Sequence, residues 1–499
     1  MTIWVHDSAA SILPFSLASI NPQAVFYNME EDTRRNFSDA SRKADHLCVL
    51  VHGLWGNPSH LDYVASALRE KYGEDQLVVL AVKRNAGSYT YDGIETGGER
   101  VAKEIEEALD ELAREGYNMK KLSMVGYSLG GLVARYALGL LHSRGWFEKI
   151  RPVNFTTFAS PHLGVRTPLR GYANHIWNVL GARALCMSGR QLFMIDKFRD
   201  TGRPLLSVLA DPDSIFIHAL KKFENRSLYA NIVNDRSAVF YTTAISRTDP
   251  FTQMESLDLN FVKYYETAVL DPDTPFRLRK NQHLPTFYTR LAGGSQTFLK
   301  NLPAYVALAV IFPIAFVVFM VNSSIQSVRS RRRIRIHEDE HKIHGFASYR
   351  VPFIIQDVQQ AVEDAYENVN AAQSQEYLPD GSEEMAAAME RPQESTESLP
   401  SSFADHLGTS MTSEKSENAN LTDGGKDLPQ RSPEFPTLAL TPAQFAMIKS
   451  LDDCGFQKFP VLISKSNHSH AAIIVRILKS SFDEGKIVIR HWLNENFKI

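Results

Sequence analysis

From residue 46 onward the chain alternates between two hydrophobic periods. Short apolar runs recur as His46-LCVLV-His52, QLVVLAVK at 76–83, KLSMVGY at 121–127, VNFTTFAS at 153–160 and LYANIVND at 228–235. A short run of this kind reads as a strand buried on both faces. Between the runs lie stretches of helical period, among them SHLDYVASALREKYG and the segment that sets Val101, Ile105, Ala108, Leu109 and Leu112 on one face. Such alternation predicts βαβ units around a mostly parallel sheet. From about 165 to 222 the periodicity is mixed and apolar, which predicts an insertion lying over the sheet. Regular structure is expected again at Thr441-PAQFAMIKSL, a helix with Thr at the N-cap and Pro in the first turn. The strand FPVLISK and the motif HSHAAIIVRIL follow, with a helix expected from Ala471.

Two later segments depart from this pattern. LPAYVALAVIFPIAFVVFMV, residues 302–321, is uncharged and apolar over about 20 residues, the length that crosses a bilayer. Arg329, Arg331, Arg332, Arg333 and Arg335 follow it, a basic flank that by the positive-inside tendency faces the cytosol. From roughly 368 to 436 the chain is rich in Ser, Glu, Gln, Pro and Asn, a composition that cannot bury enough apolar surface to offset the entropy of ordering. The expected organisation is therefore an N-terminal segment 1–43 and a first core part 44–255 carrying the insertion. A connector 256–300, a membrane-associated segment 301–325, a basic flank 326–367 and a disordered linker 368–436 come next. Residues 437–499 complete the core.

Composition narrows the partners. With 54 basic against 57 acidic residues the net charge is -3, which argues against nucleic acid. Cys48, Cys186 and Cys454 are far apart and in no metal-ligand spacing, so neither a disulfide framework nor a structural metal site is expected. The first residues show no basic stretch followed by a clean apolar run, and no secretory signal is read there.

The chemistry centres on Gly126-Tyr127-Ser128-Leu129-Gly130, a G-x-S-x-G with a strand before it and a helix after it. A serine on so tight a turn needs glycine neighbours, because side chains there would strike the adjoining strand and helix. The turn exposes the hydroxyl and aims the free N–H groups of the following helix at a developing oxyanion. Ser128 is thus the candidate nucleophile, with the N–H groups of Leu129 and of Leu54, in the His52-Gly53-Leu54 loop, as the candidate oxyanion hole. A triad in this class runs Ser, then Asp or Glu, then His. Asp235, at the end of LYANIV, is the candidate acid. His470, after one strand and before a helix, is the favoured base, with His468 beside it as the alternative. His162 comes too early in the chain, and His283 lies in a loop without other features.

HGLWGNPSHLDYV, GYSLGGLVARYALG, FASPHLGVR, SGRQLFMID and LYANIVNDR together resemble the "putative serine esterase" family of fungal lipases, which includes the ROG-type lipases and the lipid-droplet phospholipase. The similarity covers about 44–255 and resumes in HSHAAIIVR. It implies an α/β-hydrolase fold and activity on acyl esters of phospholipids or acylglycerols, with Ser128 as nucleophile, Asp235 as acid and His470 as base. The implied reaction runs through an acyl-enzyme and requires neither metal nor organic cofactor. One position departs from the lipase habit: no proline follows the acid, where Ala238 and Phe240 stand instead. The anchor next to an esterase suits a water-insoluble substrate at a membrane or lipid-droplet monolayer, with the insertion at 165–222 as lid. Location on the lipid droplet or endoplasmic reticulum, facing the cytosol, is the corresponding expectation. A thioesterase or acyl-protein esterase of the same fold, or a lipid-binding tether without turnover, are the rival readings.

The apolar run poses a topological problem, because it lies between Asp235 and His470. A single crossing would put the acid and the base on opposite sides of the bilayer. Pro313, near the middle of the run, can kink a helix, which makes a hairpin or re-entrant anchor the favoured expectation over a spanning helix. Asn420-Leu421-Thr422 matches the N-glycosylation pattern and would report on which side the linker lies.

Overall fold

The apolar runs find each other as one sheet. The computed structural model describes residues 44–165, 186–235, 237–279, 325–337, 377, 435 and 437–499. Five strands come from the first part of the chain: β1 (His46–Val51), β2 (Leu77–Ala81), β3 (Lys121–Tyr127), β4 (Arg151–Phe158) and β5 (Asn225–Asn231). Beyond a small antiparallel hairpin, β6 (Leu257–Leu259) with β7 (Phe276–Leu278), β8 (Gln457–Val461) supplies the sixth strand of the main sheet. The order is β2-β1-β3-β4-β5-β8, and every neighbouring pair is parallel. A parallel sheet needs cover on both faces, and β1 shows how. Leu47, Val49 and Val51 point into one core, while Cys48 and Leu50 point into the other.

The helices that cover the sheet are α1 (Asp62–Tyr72), α2 (Ile94–Arg114), α3 (Leu129–Ser143), α4 (Ile215–Lys221), α5 (Pro442–Asp452) and α6 (Asp483–His491). On one face lie α2, α3, α4 and α5, contributing Ile105, Leu132, Ile217 and Ile448 to a common core. The predicted stripe on α2, from Val101 to Leu112, is buried throughout. On the other face α1 and α6 bring Val64, Leu68, Val488 and Ile489 against the sheet. The expected start of α5 is built as a capping box: Thr441 Oγ1 accepts from Gln444 N–H, and Gln444 Oε1 accepts from Thr441 N–H.

The C-terminal residues are stitched across the second face. Trp492 is fully buried and its Nε1 donates to Thr156 Oγ1 at 3.0 Å. Asn154 Nδ2 donates to Lys498 O at 2.6 Å, and Lys71 Nζ to Leu493 O at 2.5 Å. Residues 437–499 therefore belong to the same body as β1 to β5. The connector also contributes, because Leu270 N–H donates to Pro460 O and Leu462 N–H to Ala268 O, closing the exposed edge of β8.

Two expectations change in detail. Within 165–222, the helices Leu205–Leu209 and α4 belong to the buried helix layer on the sheet rather than lying outside it: Leu205, Leu206, Leu209 and Ile217 have no exposed surface and join the core beside α3. They form part of the β4-to-β5 crossover, where burial outweighs the mixed periodicity, and residues 166–185 lie outside the described residues. The helix expected from Ala471 ends almost at once, since only Ser469–Ala472 is helical. Ala472, Ile473 and Ile474 are fully buried, Val475 turns to φ 53°, and the Gly485 position of α6 fits tightly against Ala472 O. The three cysteines are free and buried.

Among the described residues no helix is long and apolar enough to cross a membrane. The apolar run 302–321, Asn420, His283 and residues 1–43 lie outside the described residues, as does the linker 368–436 apart from Tyr377 and Phe435.

Candidate active site

In an open parallel sheet the carboxyl ends of the strands form a crevice where the strand order reverses. That point here lies between β1 and β3. The loop after β1 holds Gly53 and Leu54, the turn after β3 holds Ser128, and the turns after β5 and β8 hold Asp235 and His470. All five sequence-predicted site residues therefore come from the same edge of the sheet.

Ser128 sits at φ 54° and ψ -128°, a strained conformation for a residue with a side chain. The surrounding backbone enforces it. A Cβ on Gly130 would lie 2.2 Å from Val51 O and 2.4 Å from His52 O, and one on Gly126 would lie 2.4 Å from Gly131 Cα. Strand, turn and α3 are thus packed backbone to backbone, which only glycine permits. Ser128 N–H donates to Phe158 O at 3.0 Å and Ser128 O accepts from Gly131 N–H at 3.1 Å, holding the turn at both ends.

The β1 loop approaches the nucleophile just as closely. A Cβ on Gly53 would lie 2.8 Å from Ser128 Cβ and 3.4 Å from Ser128 Oγ. Leu54 is the next residue, and neither its N–H nor that of Leu129 donates to a protein acceptor among the described residues. Leu129 is the first residue of α3, where the helix leaves its N–H groups unpaired and its dipole favours negative charge. Beneath the loop, burial pushes His52 down to about 4, so the imidazole there is neutral; its Nδ1–H donates to Gly53 O at 3.1 Å.

On the other side of Ser128, His470 Nε2 lies 2.9 Å from Ser128 Oγ and Nδ1 lies 2.9 Å from Asp235 Oδ2. A carboxylate only accepts, so Nδ1 carries the proton and Nε2 is left to take one from the serine hydroxyl. Asp235 Oδ2 also accepts from Asn231 Nδ2 at 2.8 Å, and its Oδ1 accepts from Ala238 N–H at 2.8 Å. Ala238, standing where lipases often have proline, thus supplies an N–H that proline lacks. His468 caps the start of the short helix, its backbone N–H donating to Ser466 Oγ. His162 is fully buried against Thr157 Oγ1 at 2.9 Å, and burial holds it well below the usual imidazole range.

Two residues at the site have no role in the sequence reading. Asn231 orients the carboxylate, and nothing in the sequence singles out an asparagine inside a strand. Tyr127 donates from its hydroxyl to His470 O at 3.0 Å, with its ring 5.2 Å from the imidazole. Its position beside the nucleophile was the available signal. Ser469 Oγ to Val233 O at 2.8 Å and Asn234 Nδ2 to Ile463 O at 3.2 Å tie the two loops together.

Six parallel strands in this order, with a strained serine turn between β3 and the helix after it, define the α/β-hydrolase fold. Within it, residues 41–248 match the family described as "Putative serine esterase (DUF676)". The chain is 32% identical over 243 residues to "Putative lipase ROG1" of Saccharomyces cerevisiae, covering 47% of this chain and 33% of that protein. It is 29% identical over 255 residues to "Putative lipase C4A8.10" of Schizosaccharomyces pombe, covering 48% and 32%. The chain thus spans about a third of the length of these relatives. Among solved structures, a cutinase from Trichoderma reesei aligns at 21% identity over 30% of this chain and 72% of its own, with a TM-score of 0.19. At that score the superposition adds nothing to the fold assignment, which rests on sheet order and turn.

Proposed function

We propose that the chain is a serine-dependent hydrolase of lipid esters, working through an acyl-enzyme at a membrane or lipid-droplet surface. The observation that carries this is the continuous hydrogen-bonded line Ser128–His470–Asp235, with both links at 2.9 Å. Ser128 attacks the ester carbonyl as His470 takes its proton. Leu54 and Leu129 N–H receive the oxyanion. Protonated His470, held by Asp235, returns the proton to the leaving alcohol. Water activated by the same imidazole then releases the fatty acid.

The lipid substrate is supported by the uncharged run 302–321 and by the fungal lipases the chain resembles. The same-side arrangement of that run is supported by the contacts on either side of it. Residues 325–337 and 437–499 both pack on the body formed by the described residues between 44 and 279. We read the run as a membrane anchor, with both hydrolase parts facing the cytosol.

The test is fatty-acid release from phospholipid-coated droplets, alongside fluorophosphonate labelling. Wild type should label and release, and Ser128→Ala should do neither. A wild-type chain that neither labels nor releases would overturn the reading in favour of a lipid-binding protein.

A further inference from the structure

One element stands outside the hydrolase core: the helix at 325–337, which follows closely on the apolar run ending at Val321. Its inner face is fastened to the hydrolase. Ser327 Oγ meets Cys186 Sγ at 3.1 Å, and Ser330 Oγ donates to Tyr91 O at 3.4 Å. Arg333 grips Asp92 with Nε at 2.9 Å and Nη2 at 2.6 Å, and His337 Nε2 lies 2.7 Å from Glu99. Positions 327, 330, 333 and 337 share one side of a helix. Asp92 is buried and also receives Arg100 Nη2 at 2.8 Å.

The outer face has a different character. Ile325 is 46% exposed, Val328 64% and Ile336 42%. Arg329, Arg331, Arg332 and Arg335 are exposed around them, and the helix contains no acidic residue. At a hundred degrees per residue, about the α-helical turn, the three aliphatic side chains form one stripe with arginines within and beside it. Exposed aliphatics ringed by arginine suit an interfacial helix, and the arginines match lipid phosphate in charge. The proximity of an uncharged run in the sequence puts the same surface within reach of this face.

We propose that the outer face of 325–337 lies in the headgroup layer of an anionic membrane, with the arginines on phosphates and Ile325, Val328 and Ile336 among the upper acyl carbons. This deepens the lipid-ester reading and rests on it only for its purpose. The Asp92 clasp then has a function. Thr90, two residues earlier, accepts the Trp55 N–H at 3.0 Å on Oγ1, and Trp55 follows Leu54. Binding of the helix to anionic lipid therefore holds the loop beside Ser128 in a set orientation to the membrane.

The experiment uses the full chain with Val328→Cys carrying a polarity-sensitive fluorophore, since the three native cysteines are buried. The protein is reconstituted into phosphatidylcholine bilayers with and without phosphatidylserine. The emission should shift to the blue only with phosphatidylserine, and salt should reverse the shift. A fluorophore at Leu478→Cys, another exposed position, should not move. Replacing Arg329, Arg331, Arg332 and Arg335 together by Gln should abolish the shift while fluorophosphonate still labels Ser128, showing the hydrolase folded. Equal emission in both bilayers, or a shift that survives the four substitutions, overturns the proposal. So does a salt-sensitive shift seen without lipid, which would assign the face to the chain's own acidic linker. Ser128→Ala should keep the shift, so failure of catalysis and failure of membrane contact are separate results.

Discussion

The two halves of the candidate site are built by different physics. On the nucleophile side, Gly126 and Gly130 are locked by contacts between backbones and Gly53 lies against Ser128 itself, all within about eighty residues of chain. On the acid and base side, Asp235 and His470 come from turns far apart in sequence and are aligned by side-chain hydrogen bonds from Asn231 and Tyr127. Steric locking leaves almost no tolerance, because nothing can relax when the neighbour is a carbonyl. Hydrogen-bond alignment is graded, and each bond contributes on the order of 1 kcal/mol. The first half should therefore fail by not folding, and the second by losing activity in steps.

The largest effects are expected from the acid and base themselves. His470→Ala should lower ester hydrolysis by about ten-thousandfold or more, and Asp235→Asn by about ten-thousandfold, because the wrong tautomer then faces the serine. Loss on His468→Ala with His470→Ala unaffected would break the assignment. Next comes Gly130→Ala, whose Cβ would lie 2.2 Å from Val51 O. With backbone as the obstacle it should cost about 3 kcal/mol or more, read from the urea midpoint. A stable Gly130→Ala protein would remove the steric side of the comparison.

Acid should act on the nucleophile loop and on the C-terminal seam at once, through histidines that burial pushes down to about 4: His52 by the nucleophile loop, and His46 and His491 at the seam. Their unfolded-state value is 6.5, so below it the unfolded chain binds protons that the folded one refuses, and stability falls as pH drops from about 6.5 toward 4. Each imidazole should cost under about 1 kcal/mol over the first unit below pH 7. His46 stacks on Phe497 and His491 Nδ1 pairs with Tyr229 Oη at 2.9 Å, so hydrogen exchange in 483–499 should rise before that in β3. Equal exchange in the two regions would show that the seam is no weaker than the sheet. The smallest effect belongs to Tyr127→Phe, which removes the hydroxyl donor to His470 O. A loss of about 1 kcal/mol corresponds to roughly fivefold in kcat with KM unchanged.

The same division explains what could be read in advance. Strand β3, the serine turn and the start of α5 were legible because each is decided within a few residues: a buried run, flanking glycines, a capping pair at Thr441 and Gln444. The role of 205–221 was not, because a short helix with mixed periodicity looks alike whether it covers a sheet from outside or is sunk into its core. Choosing between His468 and His470 was likewise beyond spacing. Two residues apart at the start of a helix, they diverge by about 200°, and which one points inward depends on where α6 and the β5 turn stand. Asn231 and Tyr127 act through atoms that meet only after β5, β3 and the β8 loop have come together.

By itself, then, the sequence determined the local pieces: the parallel strands, the strained serine turn, the loop glycines and the class of chemistry they serve. These follow from short-range sterics and hydrophobic period, which a chain carries wherever it goes. The tertiary structure decided the rest. It brought His470 to Asp235 across 235 positions of chain, and it fastened the arginine helix at 325–337 to Asp92 beside the nucleophile loop. Contacts of that kind are settled by which surfaces exclude water together, and no local pattern records them.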